Sequence, residues 1–344
     1  ISLAKPDIFV MENVRGILTA KVNGQVMFPQ ILEDLRNPGS VTKQKKIPKY
    51  KIYSLVVDAE NPKDPQYKDS ADFLIRCEQY GIPQARHRVI LLGVREDIKA
   101  TPETLKLCEH QVTVKQAIDD LPNLRSGFSK QKDNTKDWET AVTKNAAKLK
   151  RILKKQFDPE SANSLNLKPK IGLSRIETAL SDKTPAMPES LKAWYIDPNL
   201  NVVLNHETRG HMVDDLLRYA YCAVYAQIEG SSPKSRHFPK ELAPAHANWD
   251  TGTHADRFRV QVADKYATTV TSHISKDGHY FVHYDPQQCR SLSVREAARL
   301  QTFPDNYIFE GTRTNQYVQV GNAVPPYLAQ QIGKVLLELI NQNE

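Results

Sequence analysis

The sequence predicts an α/β chain: part of a doubly wound sheet domain, joined to a smaller mixed α+β domain. Three observations predict it. The first hundred residues alternate apolar runs of strand length with one helical stripe, the middle of the chain loses sustained periodicity, and regular helical signals return after residue 290. A length of 344 residues also fits about two domains.

The elements follow in order. Ile8, Phe9, Val10 and Met11 form a continuous apolar run within residues 5–14, which reads as a buried strand of a parallel sheet ending in Glu12-Asn13-Val14. An acid at the carboxyl end of such a strand lies where open α/β sheets hold ligands. Val26, Ile31, Leu32 and Leu35 recur at helical spacing between Gln25 and Leu35. Tyr50 to Val57, Phe73 to Gln79 and His87 to Val94 read as three further strands. Thr113 to Leu121 resembles a short helix stopped at Pro122, and residues 123–210 are polar with little periodicity. Val213 to Ala226 reads as a helix, while FRVQV and HYFVHY between Arg257 and Tyr284 suit antiparallel strands. Ser293-Val-Arg-Glu296 fits a capping box, opening a helix that Pro304 stops. Pro325-Pro326 starts the last helix, with Leu328, Ile332, Val335, Leu336 and Leu339 on one face.

Composition narrows the class. Lys plus Arg number 47 against 40 Asp plus Glu, a formal charge of +7, and the chain is 40% hydrophobic and 25% charged, which is ordinary for a soluble globular protein. No run approaches the roughly 18 apolar residues of a membrane helix, so no membrane partner is expected. The four cysteines, Cys77, Cys108, Cys222 and Cys289, are scattered without a Cys-x-x-Cys pair, which excludes a disulfide scaffold or zinc ribbon and suits a reducing, cytoplasmic setting. His279 and His283 stand four apart and His206 and His211 five apart, but nothing completes a tetrahedral set, so no metal is expected. Two basic runs, Lys43–Lys51 and Lys148–Lys155, fit phosphate contact and a solvated surface equally well. The chain opens at Ile1 and runs through Lys5-Pro-Asp straight into the apolar run, as a piece of something longer would.

Four segments then stand out: Glu12-Asn13-Val14; Gln84-x-Arg86-x-Arg88 after Tyr80-Gly-Ile-Pro; Arg295-Glu296-Ala-Ala-Arg299-Leu-Gln301-Thr-Phe303-Pro304-Asp305; and Gln319-Val-Gly321-Asn322-Ala-Val-Pro-Pro326. In type, order and spacing they resemble the DNA (cytosine-5) methyltransferases. The resemblance implies a partial methyltransferase (Rossmann-like) sheet over residues 1–112, a target-recognition domain over 113–310, and a segment returning to the catalytic domain over 311–344. It implies methyl transfer from S-adenosylmethionine to carbon 5 of a flipped-out cytosine in duplex DNA, in a restriction–modification setting, by a protein associated with the nucleoid when bound to DNA.

Site residues carry over by motif. Addition at carbon 6 of cytosine is eased by an acid near ring nitrogen 3, and a carboxyl kept protonated by burial would serve; the resemblance gives Glu12 this role. Two arginines at i and i+2 on a strand share a face, and the resemblance places Arg88 on the carbonyl oxygen of the base, with Arg86 in support and Gln84 toward the DNA. Asn322 and Ala323 become cofactor contacts. Thr269-Val270 resembles the family's Thr-Leu-type dipeptide near the extruded base, and Arg257 and Arg259 are candidates for base readout. Arg295 and Glu296 are read as architecture.

Two family elements are missing. The nucleophile is a cysteine directly after a proline, and no cysteine here follows one; the Gly-rich cofactor loop is absent, since no Gly-x-Gly occurs. The resemblance therefore implies a chain inactive alone, completed by an upstream segment or chain that supplies the cysteine. A non-catalytic DNA-binding or regulatory module and a relative acting on RNA are the alternatives.

Overall fold

The protein is described by a computed structural model covering residues 1–42, 46–245, 249 and 256–342. Of the first basic run, Lys43, Gln44 and Lys45 lie outside the described residues. The chain divides into two compact units, Ile1–Gln111 with Tyr327–Glu344, and Val112–Pro326. Among the described residues no helix is long and apolar enough to cross a membrane.

The first unit is built on one strand. His87–Arg95 (β4) pairs antiparallel with Ile8–Val14 (β1) on one side, and with Tyr50–Ser54 (β2) and Leu74–Arg76 (β3) on the other. The expectation of a parallel neighbour for β1 is thus corrected, and β1 is only half-buried, with Val10 and Val14 exposed. A long apolar run signals a strand covered on both faces rather than a parallel one, and that description fits β4. Its Ile90, Leu92 and Val94 pack with Leu328, Ile332, Val335 and Leu339 of the last helix, Pro326–Asn341. Its Val89 and Leu91 pack on the other side with Phe28 and Leu32 of the helix Phe28–Arg36 (α1). Phe9 pairs with Gly93 across the ladder, and a Cβ at Gly93 would stand 2.2 Å from the Phe9 ring. Gln25 and Val26, expected at the start of the helix, form a strand of a small hairpin with Lys21–Val22.

Helices are the main regular elements of the second unit. Val114–Ile118 (α2) begins with a capping box from Thr113 and Gln116. The polar stretch after it conceals a 22-residue helix, Thr135–Gln156 (α3), capped by the Asn134 side chain, with Trp138, Val142, Leu149, Ile152 and Leu153 buried. These packing positions are four, seven, three and one residues apart, a helical stripe diluted by lysines. Val213–Glu229 (α4) is buried over most of its surface, and Gly230 ends it at φ 60°, a left-handed conformation that glycine adopts without strain. Ser293 and Glu296 form the expected capping box on Val294–Leu300 (α5). Arg313–Asn322 (α6) and Pro326–Asn341 (α7) follow.

The strands expected within residues 257–284 are largely replaced by turns and by bridges from Val260 to Val282 and from Val282 to Ser291. Side chains occupy the hydrogen-bonding positions a ladder would use: Gln261 donates to the Tyr280 carbonyl at 2.8 Å and accepts from the Thr268 N–H at 2.9 Å. Gly278 then turns the chain at φ 76°.

Candidate active site

The first two of the four segments, both in the first unit, meet across the β1–β4 ladder. Val14 faces Arg88 in register, and the Arg88 Nε lies 2.8 Å from the Glu12 carboxylate. The ladder explains the meeting, because residues i and j±2 on one face of an antiparallel pair are within reach of long side chains. Burial of Glu12 was expected, but its side chain is 32% exposed on the edge strand. What holds the carboxylate is the guanidinium, which also donates through Nη1 to the His87 carbonyl at 2.8 Å.

Arg86 sits just before β4 and is 2% exposed. Burial, then the like charge of Arg88, lowers its pKa to about 10, so the two guanidinium groups share one neighbourhood. Gln84 is fully buried, within a tight turn in which the Arg86 N–H donates to the Gln84 carbonyl. His87 reaches back to the buried Glu78 at 2.9 Å, a pair the motif does not reveal because Glu78 lies before it.

None of the four thiols is activated. Burial pushes Cys77 up to about 12, although Arg86 opposes it; burial also takes Cys289 to about 12, Cys222 well above its ordinary value and Cys108 upward. The thiolate is the nucleophile; Cys77, Cys222 and Cys289 are buried packing cysteines, and Cys108 is exposed.

In the second unit, Asn322 is the exposed last residue of α6 and Ala323 its C-cap. The Gln301 amide clamps this end by donating to the Val320 and Ala323 carbonyls at 2.9 and 2.8 Å. Val270 is fully buried in the core cluster on which Ala323 also packs, while Thr269 is half-buried. That places Val270 in the core rather than on a DNA-facing surface. Arg257 is 3.8 Å from Asp277, and Arg259 pairs with Asp256 and lies over the Tyr280 ring at 5.8 Å. Both arginines are half-buried and paired with acids.

The third motif is architecture. Arg290 grips Glu296 with two hydrogen bonds of 2.7 and 2.6 Å, Arg295 donates to the carbonyls of Leu204, Pro304 and Tyr307, and Arg299 joins Asp120 and Asp305. The histidines belong to the same interior. His206 bridges Ser293 and the Pro122 carbonyl; Tyr219 joins His211 to His279; His283 lies 3.5 Å from Glu296. Among the described residues no group of three acids, histidines or cysteines could hold a metal.

Burial lowers the pKa of all four histidines, His206 to about 4. They stay neutral in the fold but take up protons below about pH 6.5 in the unfolded chain. Their contribution is therefore fully present above pH 6.5 and is lost as the pH falls toward the folded values, by about 1.4 kcal/mol per histidine per pH unit. The midpoint of thermal unfolding of the second unit should drop steeply between pH 6.5 and 4.5. A flat profile across that window would contradict neutral burial.

Residues 1–338 match the family described as C-5 cytosine-specific DNA methylase. Type II methyltransferase M.Bpa9945I of Bacillus paralicheniformis is 33% identical over 341 residues, covering 98% of this chain and 61% of that protein. Type II methyltransferase M.DdeI of Desulfomicrobium norvegicum is 24% identical over 348 residues, covering 97% and 63%. The crystal structure of a candidate DNA modification methyltransferase encoded within an E. coli prophage aligns with a TM-score of 0.50 at 19% identity, over 98% of this chain and 70% of that one. This last likeness speaks for the α/β fold alone. The chain thus spans 61% and 63% of the length of the two curated relatives.

Proposed function

The chain belongs to the C-5 cytosine-specific DNA methylase family, and we propose that it is the later-motif part of an enzyme that methylates carbon 5 of a cytosine flipped out of duplex DNA, in a restriction–modification setting. The observation that carries this reading is the Glu12–Arg88 pair at 2.8 Å, which joins two motifs far apart in sequence on one face of the β1–β4 ladder.

Each group has a task. With the base extruded, Glu12 holds a proton at ring nitrogen 3, and Arg88 donates to the neighbouring carbonyl oxygen. Together they stabilise the negative charge that develops when a nucleophile adds at carbon 6. Arg86, buried behind them, fixes Arg88 by its charge and bulk. The exposed amide of Asn322, at a helix end clamped by Gln301, fits one wall of a cofactor site. S-adenosylmethionine supplies the electrophilic methyl group there when bound. The nucleophilic thiolate comes from a segment or chain carrying the Pro-Cys motif, because all four thiols here are held protonated.

The test is transfer of labelled methyl groups to mixed-sequence DNA, by this chain alone and with a segment bearing the Gly-rich loop and Pro-Cys. Activity is expected only in the second case. In that reconstituted enzyme Glu12→Gln should lower turnover by about 10²–10⁴ with DNA affinity nearly unchanged. Methylation by the chain alone would refute the assignment of the nucleophile. DNA binding without transfer in either case would favour a regulatory module.

A further inference from the structure

One flank of α3, beside its buried stripe, carries Lys144, Lys148, Arg151 and Lys155, at i, i+4, i+7 and i+11. That spacing sets them in one stripe about 16 Å long. Trp138, Leu149 and Ile152 are buried toward the core, while Lys144, Arg151 and Lys155 are exposed and Lys148 is half-buried at the inner edge of the stripe. Asp137 and Glu139 stand near the start of the helix, and no acid follows as far as Gln156.

A second segment, distant in sequence, extends the patch. Gln156 at the end of α3 donates to the His237 carbonyl at 2.9 Å, which brings the exposed Lys234, Arg236 and Lys240 to the same end of the helix. Glu241 is the acid set among them, 3.3 Å from Arg151 and 3.7 Å from Lys155. His237 lies among these groups: burial and then Arg236 and Lys234 lower its pKa, while Glu229 opposes them. Compensation of the helix dipole accounts for Lys154 and Lys155 in the last turn. It does not account for Lys144 and Lys148, which lie two turns and more before the end. A face kept merely soluble would mix the two signs.

We propose that this patch docks the phosphate backbone of duplex DNA without sequence preference, a role that rests on the methyltransferase reading above. At one phosphate per 3.4 Å of each strand, the stripe spans about five phosphates. Such a surface would add affinity and encounter rate and leave base choice to other residues.

The experiment is titration of the 344-residue chain with mixed-sequence duplex DNA across a salt series, compared with Lys148→Gln/Arg151→Gln and with Glu241→Gln. Arg151 and Glu241 are exposed and Lys148 is half-buried, and equal thermal midpoints verify that the fold is unchanged. Loss of two phosphate contacts should flatten the log–log salt slope by about 1.8 and weaken binding about 60-fold at 0.1 M salt. Removing the acid at Glu241 should tighten binding. A double variant with wild-type slope and affinity overturns the docking surface and leaves the methyltransferase reading standing. An unaltered chain that does not bind DNA also overturns the docking surface, while the methyltransferase reading is judged by transfer in the reconstituted enzyme.

Discussion

Arg290→Met is expected to cost the second unit about 3–5 kcal/mol of folding stability. Arg290 and Glu296 are both shut off from solvent, joined by two hydrogen bonds of 2.7 and 2.6 Å. Burial alone would push the Glu296 carboxyl up, but Arg290 outweighs it and holds the carboxyl well below the usual carboxylate range. Glu296 Oε2 also accepts the Ser293 N–H at 2.7 Å, closing the capping box of α5. A methionine fills the volume and removes the positive charge, leaving a carboxylate that must either stay ionised in the interior or take up a proton. Both are costly on the scale of about 5–15 kcal/mol that holds a domain folded. The check is denaturant unfolding of Arg290→Met beside Arg290→Met/Glu296→Leu. The double variant should recover much of the loss, since exchanging a whole buried pair for apolar side chains is often neutral. An equally unstable double variant would show that packing around Arg290, not its charge, carries the effect.

This network also marks how far the sequence could be read. The capping box at Ser293 and the stripe of the last helix are local patterns, fixed by residues three to eleven apart, and both stand where expected. Helix α3 was hidden because charged, polar and small residues fill the positions between its buried ones, so average polarity masked a regular stripe. The strands of residues 257–284 failed for another reason. Alternating side chains there bury His279 and His283 in polar contacts instead of lining a sheet face. The strand order around β4 was not legible at all, because a run of apolar residues reports burial on two faces and carries no direction.

The candidate site divides in the same way. Glu12 and Arg88 carry motif identity in the sequence, and the antiparallel register that unites them is a property of the sheet. Thr269-Val270 carries its resemblance in residue type alone, and the structure adds that Val270 is buried in a core cluster while Thr269 is half-buried. Short motifs name residue types. They do not say which side of the backbone faces a ligand.

Replacing Gly321 by alanine should be the most damaging single-methyl addition on α6. Its Cβ would stand 2.2 Å from the Ser272 nitrogen and 2.3 Å from the Thr271 carbonyl carbon, with Ser272 Cα at 2.6 Å. All three are backbone atoms, so no side chain can rotate away. Either the end of α6, which carries Asn322 and Ala323, or the turn Ser272–Ser275, which follows Thr269-Val270, must move. Overpacking of this kind costs about 1–3 kcal/mol, sometimes more, and here the displaced pieces are the candidate cofactor and base contacts. Gly333 supplies the contrast, because a Cβ there meets nothing within 4 Å on the exposed side of α7. Gly333→Ala should stabilise by about 0.5–1 kcal/mol through helix propensity. Thermal unfolding of the two variants should move in opposite directions, and Gly321→Ala should also depress methyl transfer in the reconstituted enzyme. A Gly321→Ala protein with unchanged melting and unchanged transfer would mean that this close approach between helix and turn is not what sets the site.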